Sequence, residues 1–265
     1  CGVSFSFDKS DLSVNYIHMN QVVTIQAFED NYLWLLVHGA YAAVVDPGDA
    51  QPVLRYLAQH QLTLCAILCT HHHADHVGGI RELLSHFDAP VYGPAQEKIP
   101  GRTQAVAEGD CVRLPELGLE FMVIDVPGHT AGHVAYYGAE RLFCGDTLFA
   151  CGCGRLFEGT PQVMHQSLSK LARLPDATLV YCAHEYTLDN IRFAKVVEPD
   201  NADLLQREID DRNSRAQRQP TVPSRLDLEK RTNPFLRSET PTVIAAAQRY
   251  AGRTLPEPWQ VFGVV

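Results

Sequence analysis

The residues best equipped for chemistry lie in one heptapeptide, Thr70-His71-His72-His73-Ala74-Asp75-His76. His71 and His73 are two apart, so in an extended segment their imidazoles project to one side and can share an ion. Asp75 and His76 are adjacent, so the chain must turn to aim both at a neighbouring ion. Three further apolar runs end in a metal-capable side chain. Residues 121–126 lead into Pro127-Gly128-His129, residues 142–144 into Gly145-Asp146, and residues 179–182 into Ala183-His184. Taken singly, each reads as an ordinary turn. Together they give His71, His73, Asp75, His76, His129, Asp146 and His184, enough for two metal ions with positions left open for water.

Two such ions lower the pKa of bound water toward ~7 and polarise a carbonyl or phosphoryl oxygen. Asp75, Asp146 and a bridging hydroxide offset only part of their charge, which leaves a positive site for a developing oxyanion. Asp146 is the carboxylate expected to bridge, because it offers two oxygens where a neutral imidazole offers one free nitrogen. Asp75 and Asp146 are therefore the catalytic candidates. The favoured chemistry is hydrolysis of an ester, thioester, amide or phosphoester, with no protein nucleophile; no G-x-S-x-G motif is present. Two divalent ions per chain are expected. Zinc is the first choice for these ligands, and iron or manganese also suits them. His72 should point away from the ions, and His133 should pack beside them without ligating.

Elements that could position these ligands follow from the hydrophobic pattern. Residues 22–25, 32–37 and 41–45 read as consecutive strands, the last broken by Asp46-Pro47-Gly48. Residues 52–59 have helical spacing, 64–69 form a buried-strand run, 79–87 look helical and 90–92 form a short strand. Residues 121–126, 134–137, 142–144 and 179–182 are further strands, with an amphipathic helix at 162–174. Strands interleaved with helices predict an α/β architecture. After His184 the texture changes to helices at 188–197, 202–218 and 242–250, separated by proline breaks, with no strand expected. The chain thus divides into a tail or cloning remnant (1–18), a catalytic region (19–185) and a small helical region (186–265). Met19 is the expected native start.

Composition is that of a folded globular protein, 46% hydrophobic and 20% charged. The net charge of −9 argues against a nucleic-acid partner, which would need clustered Lys and Arg. No run approaches the ~18 apolar residues of a membrane span. Of the eight cysteines, Cys65, Cys69, Cys144 and Cys182 lie in apolar runs, so a reduced, cytoplasmic chain is expected, acting as a monomer. Cys151 and Cys153 should pack within their Gly-rich loop.

The segments T-H-H-H-A-D-H, P-G-H-T, C-G-D-T-L-F and C-A-H-E-Y-T resemble the metallo-β-lactamase superfamily. Within it, the segment 152–159 (G-C-G-R-L-F-E-G) and Asn233-Pro234-Phe235-Leu236-Arg237 are similar to the glyoxalase II (hydroxyacylglutathione hydrolase) family, a likeness running from Met19 onward. The resemblance implies a four-layer αββα sandwich with a small C-terminal helical, substrate-binding domain. It also implies hydrolysis of S-D-lactoylglutathione to D-lactate and glutathione, as in methylglyoxal detoxification. Carried over by position, His71, His73 and His129 hold one metal and Asp75, His76 and His184 the other, with Asp146 shared. Arg155 and Tyr186 match glutathione-contacting residues of the family, and Phe157 stands where some members have tyrosine. The basic residues that complete the family's glutathione site near its C-terminus have no counterpart after Trp259-Gln260-Val261-Phe262. Two other readings compete. A mononuclear-iron persulfide dioxygenase would leave several ligands idle, and a lactone or β-lactam hydrolase would not need the Arg155 loop.

Overall fold

The structure, a computed structural model, describes residues 21–265; the expected tail at 1–18 and the start at Met19 lie outside the described residues. The chain opens with β1 (Gln21–Ala27), β2 (Asn31–His38) and β3 (Tyr41–Val45), followed by α1 (Ala50–His60) and β4 (Thr63–Leu68). Next come α2 (Ala74–Val77), α3 (Ile80–His86), β5 (Val91–Pro94), β6 (Gln104–Val106), β7 (Cys111–Leu114) and β8 (Leu119–Asp125). Then follow β9 (Val134–Gly138), β10 (Arg141–Gly145), β11 (Leu148–Phe149), β12 (Gly152–Cys153), α4 (Pro161–Ala172) and β13 (Leu179–Cys182). The C-terminal stretch holds α5 (Thr187–Val197), α6 (Ala202–Ala216), β14 (Ser224–Arg225), α7 (Leu226–Thr232), α8 (Pro241–Ala251) and α9 (Pro258–Val264).

The strands form two six-stranded sheets, ordered β1-β2-β3-β4-β5-β6 and β14-β13-β10-β9-β8-β7. Alternation along β2 explains why the sheets face each other. Trp34 and Leu36 join the core between the sheets with Phe121, Tyr136, Phe143 and Tyr181. Leu33 and Leu35 point the other way and pack with Val53 and Leu57 of α1 and Ile80 and Leu83 of α3. Met164, Leu168 and Leu171 cover the second sheet with one face of α4. The result is the αββα sandwich. Both faces of β2 are buried, which is why it reads as a continuous apolar run and not as a strict alternation.

Parallel pairing fixes where the site can form. β3, β4, β5 and β6 run parallel, as do β10 and β13, so their C-terminal ends collect along one rim. Backbone bonds that fasten one sheet to the other at that rim include Tyr32 N–H to Ala183 O (2.7 Å), Glu185 N–H to Asp30 O (2.9 Å) and Val134 N–H to Thr70 O (2.9 Å). Buried between the sheets, the Tyr136 hydroxyl donates to Cys69 O at 2.8 Å.

The expectation of no strand after residue 185 is corrected. β14 pairs antiparallel with β13, Leu179 opposite Arg225 and Val180 opposite Ser224, and closes the edge of the second sheet. Two residues beside Pro223 are too short to show a period, so no pattern could reveal them. No helix among the described residues is long and apolar enough to cross a membrane.

Candidate active site

Each metal-capable side chain leaves a strand end held by ordinary backbone pairing. β4 delivers Thr70 and His71, the chain stays extended through His73 (ψ 146°), and the single turn of α2 then swings Asp75 and His76 to the other side. β8, β10 and β13 deliver His129, Asp146 and His184. The seven residues converge in three overlapping groups whose ligand atoms lie within 4.8 Å of one another: His71, His73 and His129; His71, His76 and Asp146; and Asp75, His76 and His184.

Asp146 connects the two ends of this cluster. Its Oδ2 is 3.4 Å from His129 Nε2, while its Oδ1 is 3.4 Å from both His76 Nε2 and His184 Nε2. Asp75 Oδ2 lies 3.4 Å from His76 Nε2 and 3.5 Å from His184 Nε2.

Four of the five rings commit their other nitrogen elsewhere. His76 Nδ1 donates to Asp46 Oδ2 at 3.1 Å, and His184 Nδ1 to Asp30 Oδ1 at 2.8 Å. His129 Nδ1 donates to Arg155 O at 2.8 Å. His71 Nδ1 meets Thr70 Oγ1 at 3.1 Å, and that hydroxyl donates to Asp46 Oδ2 at 2.7 Å. These bonds fix the tautomers of these four rings and leave one nitrogen of each facing inward, while His73 Nδ1 lies 3.0 Å from His129 Nε2. His71 Nε2, His76 Nε2 and Asp146 Oδ1 are buried with no hydrogen-bond partner. Unsatisfied buried polar atoms are rare and costly, and a cation shared among them removes the cost. The donor set fits a divalent metal, which these residues could hold.

The electrostatics agree. Burial, chiefly, keeps the His71, His73 and His129 imidazoles below their ordinary pKa and so neutral, with lone pairs free. Burial opposes the charge on Asp146, yet His76 and His184 outweigh it and hold the carboxylate well below its usual range. Conversely, Asp146, Asp46 and Asp75 draw a proton onto buried His76. A metal ion satisfies the same carboxylates and displaces that proton.

Five of the seven, His73, Asp75, His129, Asp146 and His184, line a cleft of about 570 Å³ together with Phe149, Arg155, Phe157 and Tyr186. His71 and His76 are buried beside them. The three expected substrate contacts therefore share the cleft with the cluster. The Arg155 guanidinium carbon lies 5.9 Å from the centre of the exposed Phe157 ring. Tyr186 stacks on His184 with centroids 4.8 Å apart. Burial, then nearby Asp30, Asp146 and Asp75, push the Tyr186 hydroxyl up to about 12, so it remains a donor.

His72 turns away and bonds Glu97 Oε2 at 2.9 Å. Burial pushes His133 down to about 3; its Nδ1 donates to Val134 O and its Nε2 accepts the Asp146 N–H at 3.2 Å. Sequence reasoning missed Asp46, Asp30 and Phe149. Asp46 ends β3 just as Asp146 ends β10, so the strand-end signal was there; Pro47-Gly48 disguised it as a turn. Asp30 and Phe149 carry no sequence signal.

Residues 28–184 match the metallo-β-lactamase superfamily, and residues 185–265 match the hydroxyacylglutathione hydrolase C-terminus. A hydroxyacylglutathione hydrolase of Nitrosomonas europaea is 58% identical over 93% of this chain and 94% of its own. The chain belongs to the hydroxyacylglutathione hydrolase family. Among solved structures, ETHE1 from Myxococcus xanthus is 29% identical, with a TM-score of 0.61 over 80% of this chain and 83% of its own. A protein solved in a di-iron-bound form is also 29% identical, with a TM-score of 0.57 over 82% of this chain and all of its own.

Proposed function

We infer that the chain is a hydroxyacylglutathione hydrolase, a thioester hydrolase converting S-D-lactoylglutathione and water to D-lactate and glutathione. His71, His73 and His129 would hold one divalent ion and Asp75, His76 and His184 a second, with Asp146 shared. Zinc is the proposed metal, and the di-iron relative makes iron the first alternative. Bound ions would supply an acidified water and a Lewis acid for the thioester carbonyl.

The chain's own residues supply the rest. Asp75, its side chain 41% exposed, faces the cleft while Asn31 donates to its Oδ2 at 3.0 Å. There it can orient the attacking water. Arg155 gives an otherwise acidic protein a cation for the anionic glutathione moiety, and Tyr186 adds a hydroxyl donor. Phe149 and Phe157 present apolar walls to the acyl and thiol carbons. Hydrolysis breaks the C–S bond and releases the glutathione thiol. Cysteine chemistry has no part in it: burial pushes the Cys151 thiol up to about 12, and Cys153 is raised further still. The seven cysteines among the described residues are free thiols, which suits the proposed cytoplasmic location. Residues 186–265 are proposed as the substrate-binding region.

The observation that carries this reading is the split of Asp146, one oxygen toward His129 and the other toward His76 and His184. Two-ion hydrolysis calls for that arrangement and a single-ion site does not. The test measures metal content of the purified protein alongside hydrolysis of S-D-lactoylglutathione. Two ions per chain with turnover supports the reading. One tightly held iron without hydrolysis overturns it.

A further inference from the structure

The hairpin of β11 and β12 lies between the metal cluster and the helices that follow it. On the cleft side, the Phe149 ring meets His184 and Tyr186 at 5.8 and 5.5 Å, and Arg155 follows two residues after β12. On the other side, the hairpin backbone is bonded by side chains from the C-terminal helices. Asn190 donates to Ala150 O at 3.0 Å. Asn233 donates to Phe149 O at 3.1 Å and Gly152 O at 2.9 Å. Glu229 Oε2 accepts the Cys151 N–H at 2.9 Å, at a residue with a left-handed φ of 55°.

Glu229 is the centre of this clamp. It is fully buried and accepts four donors: Cys151 N–H, Asn233 Nδ2 (3.2 Å), Ser224 Oγ (2.6 Å) and Arg207 Nη2 (2.7 Å). Arg207, also buried, extends to Thr232 Oγ1 at 2.7 Å and Asp211 Oδ2 at 3.2 Å. A buried ion pair is a poor source of stability because desolvation cancels much of its attraction, but its directional bonds fix register. What this pair fixes is the hairpin.

We propose that Glu229, paired with Arg207, is a positioning residue for thiol-side recognition: it sets the β11–β12 hairpin so that Phe149 and Arg155 meet the glutathione moiety. It touches neither substrate nor metal. The proposal rests on the glutathione thioester reading above. Glu229→Gln keeps the shape but offers an amide N–H₂ where one pair of donors now meets an oxygen, so either the hairpin or its Arg207 anchor loses an acceptor and the clamp loosens.

The test compares wild type with Glu229→Gln on S-D-lactoylglutathione and on a lactoyl thioester of 2-mercaptoethanol, and measures glutathione affinity by calorimetry and metal content. The expected result is a KM for the glutathione thioester raised about tenfold and a weaker glutathione Kd. The kcat, the small-thioester KM and metal content should stay within about threefold of wild type. Added to Arg155→Ala, the substitution should raise KM by less than it does alone, since part of its effect acts through Arg155. Asn190→Ala, which leaves the ion pair whole, should raise KM about threefold in the same selective way, and it decides the matter if Glu229→Gln does not fold.

Equal KM shifts for both thioesters, or a loss of kcat and metal with KM unchanged, would reduce Glu229 to a folding residue and overturn the proposal. A wild-type chain that neither binds glutathione nor hydrolyses its thioester would overturn the functional reading as well. A wild type that does both, with unaltered variants, would overturn this inference alone.

Discussion

Gly48 offers a direct test of how tightly the metal cluster is tied to the backbone beneath it. A Cβ added there would lie 1.7 Å from Asp75 O, 2.3 Å from Asp75 C and 3.0 Å from Asp75 Cα. All three are backbone atoms, so no side chain can swing aside. For the new carbon to reach even a 3.0 Å contact, the turn after β3 and the helix α2 must part by more than 1 Å. Asp75 and His76 ride on α2, whereas His71 and His73 precede it. Gly48→Ala should therefore open the Asp75, His76 and His184 group while sparing His71, His73 and His129. Overpacking of this kind costs about 1–3 kcal/mol in stability, a drop of roughly 2–12 °C in Tm. Misplacement of a catalytic group by ~1 Å costs about a hundredfold in rate. The assay is elemental analysis after dialysis, with thioester kinetics on the same folded sample. The expected variant holds about one ion per chain and loses about a hundredfold in kcat/KM. A folded Gly48→Ala protein with two ions and kcat/KM within threefold of wild type would refute the reasoning.

Arg155→Ala should raise KM for the glutathione thioester about tenfold while kcat changes little, because the lost charge acts far from the reacting carbonyl; steady-state kinetics check this. Chelation should lower Tm, and re-addition of zinc at about 100 times its Kd should restore about 2.7 kcal/mol, roughly 5–10 °C by calorimetry. Burial opposes the charge on Glu198, but its bonds from Arg237 (2.6 and 3.0 Å) and Thr242 hold the carboxyl below its ordinary 4.5. Its contribution to stability is therefore complete above pH ~4.5 and disappears as pH falls through the lowered value. Glu198→Gln should flatten that acid limb of the Tm profile and leave the neutral region parallel to wild type.

The parts of this protein that follow a local rule were legible in its sequence. Apolar runs of β2, β4, β10 and β13 announced strands because both faces are buried, and the His and Asp residues just past them marked the rim where parallel strands end. Short elements escaped. β6, β7, β11, β12 and β14 are two to four residues long, too few to show a period, and their pairing is decided by distant partners. The same limit applies around the site. Asp30, Asp46 and Phe149 matter through what they touch, and Glu229 reaches Cys151 only because α7 packs across the end of the second sheet. A charged residue inside a helix, as Glu229 is, looks in sequence like any solvated position. Phe157 and Arg155 were found by resemblance, and the cleft puts both at its wall.

The backbone bonds that fasten the sheets at the rim have a consequence for how the protein is made. Tyr32 to Ala183 and Val134 to Thr70 join segments from distant parts of the chain, and the metal cluster sits between these two fastenings. The first sheet carries His71, His73, Asp75 and His76, and the second supplies His129, Asp146 and His184. Contacts of such long sequence separation form late and slowly. The second group is complete only once β13 docks, because His184 follows that strand. An ion held by both sheets would bind the folded state alone, and would act as a bolt that slows the two halves coming apart.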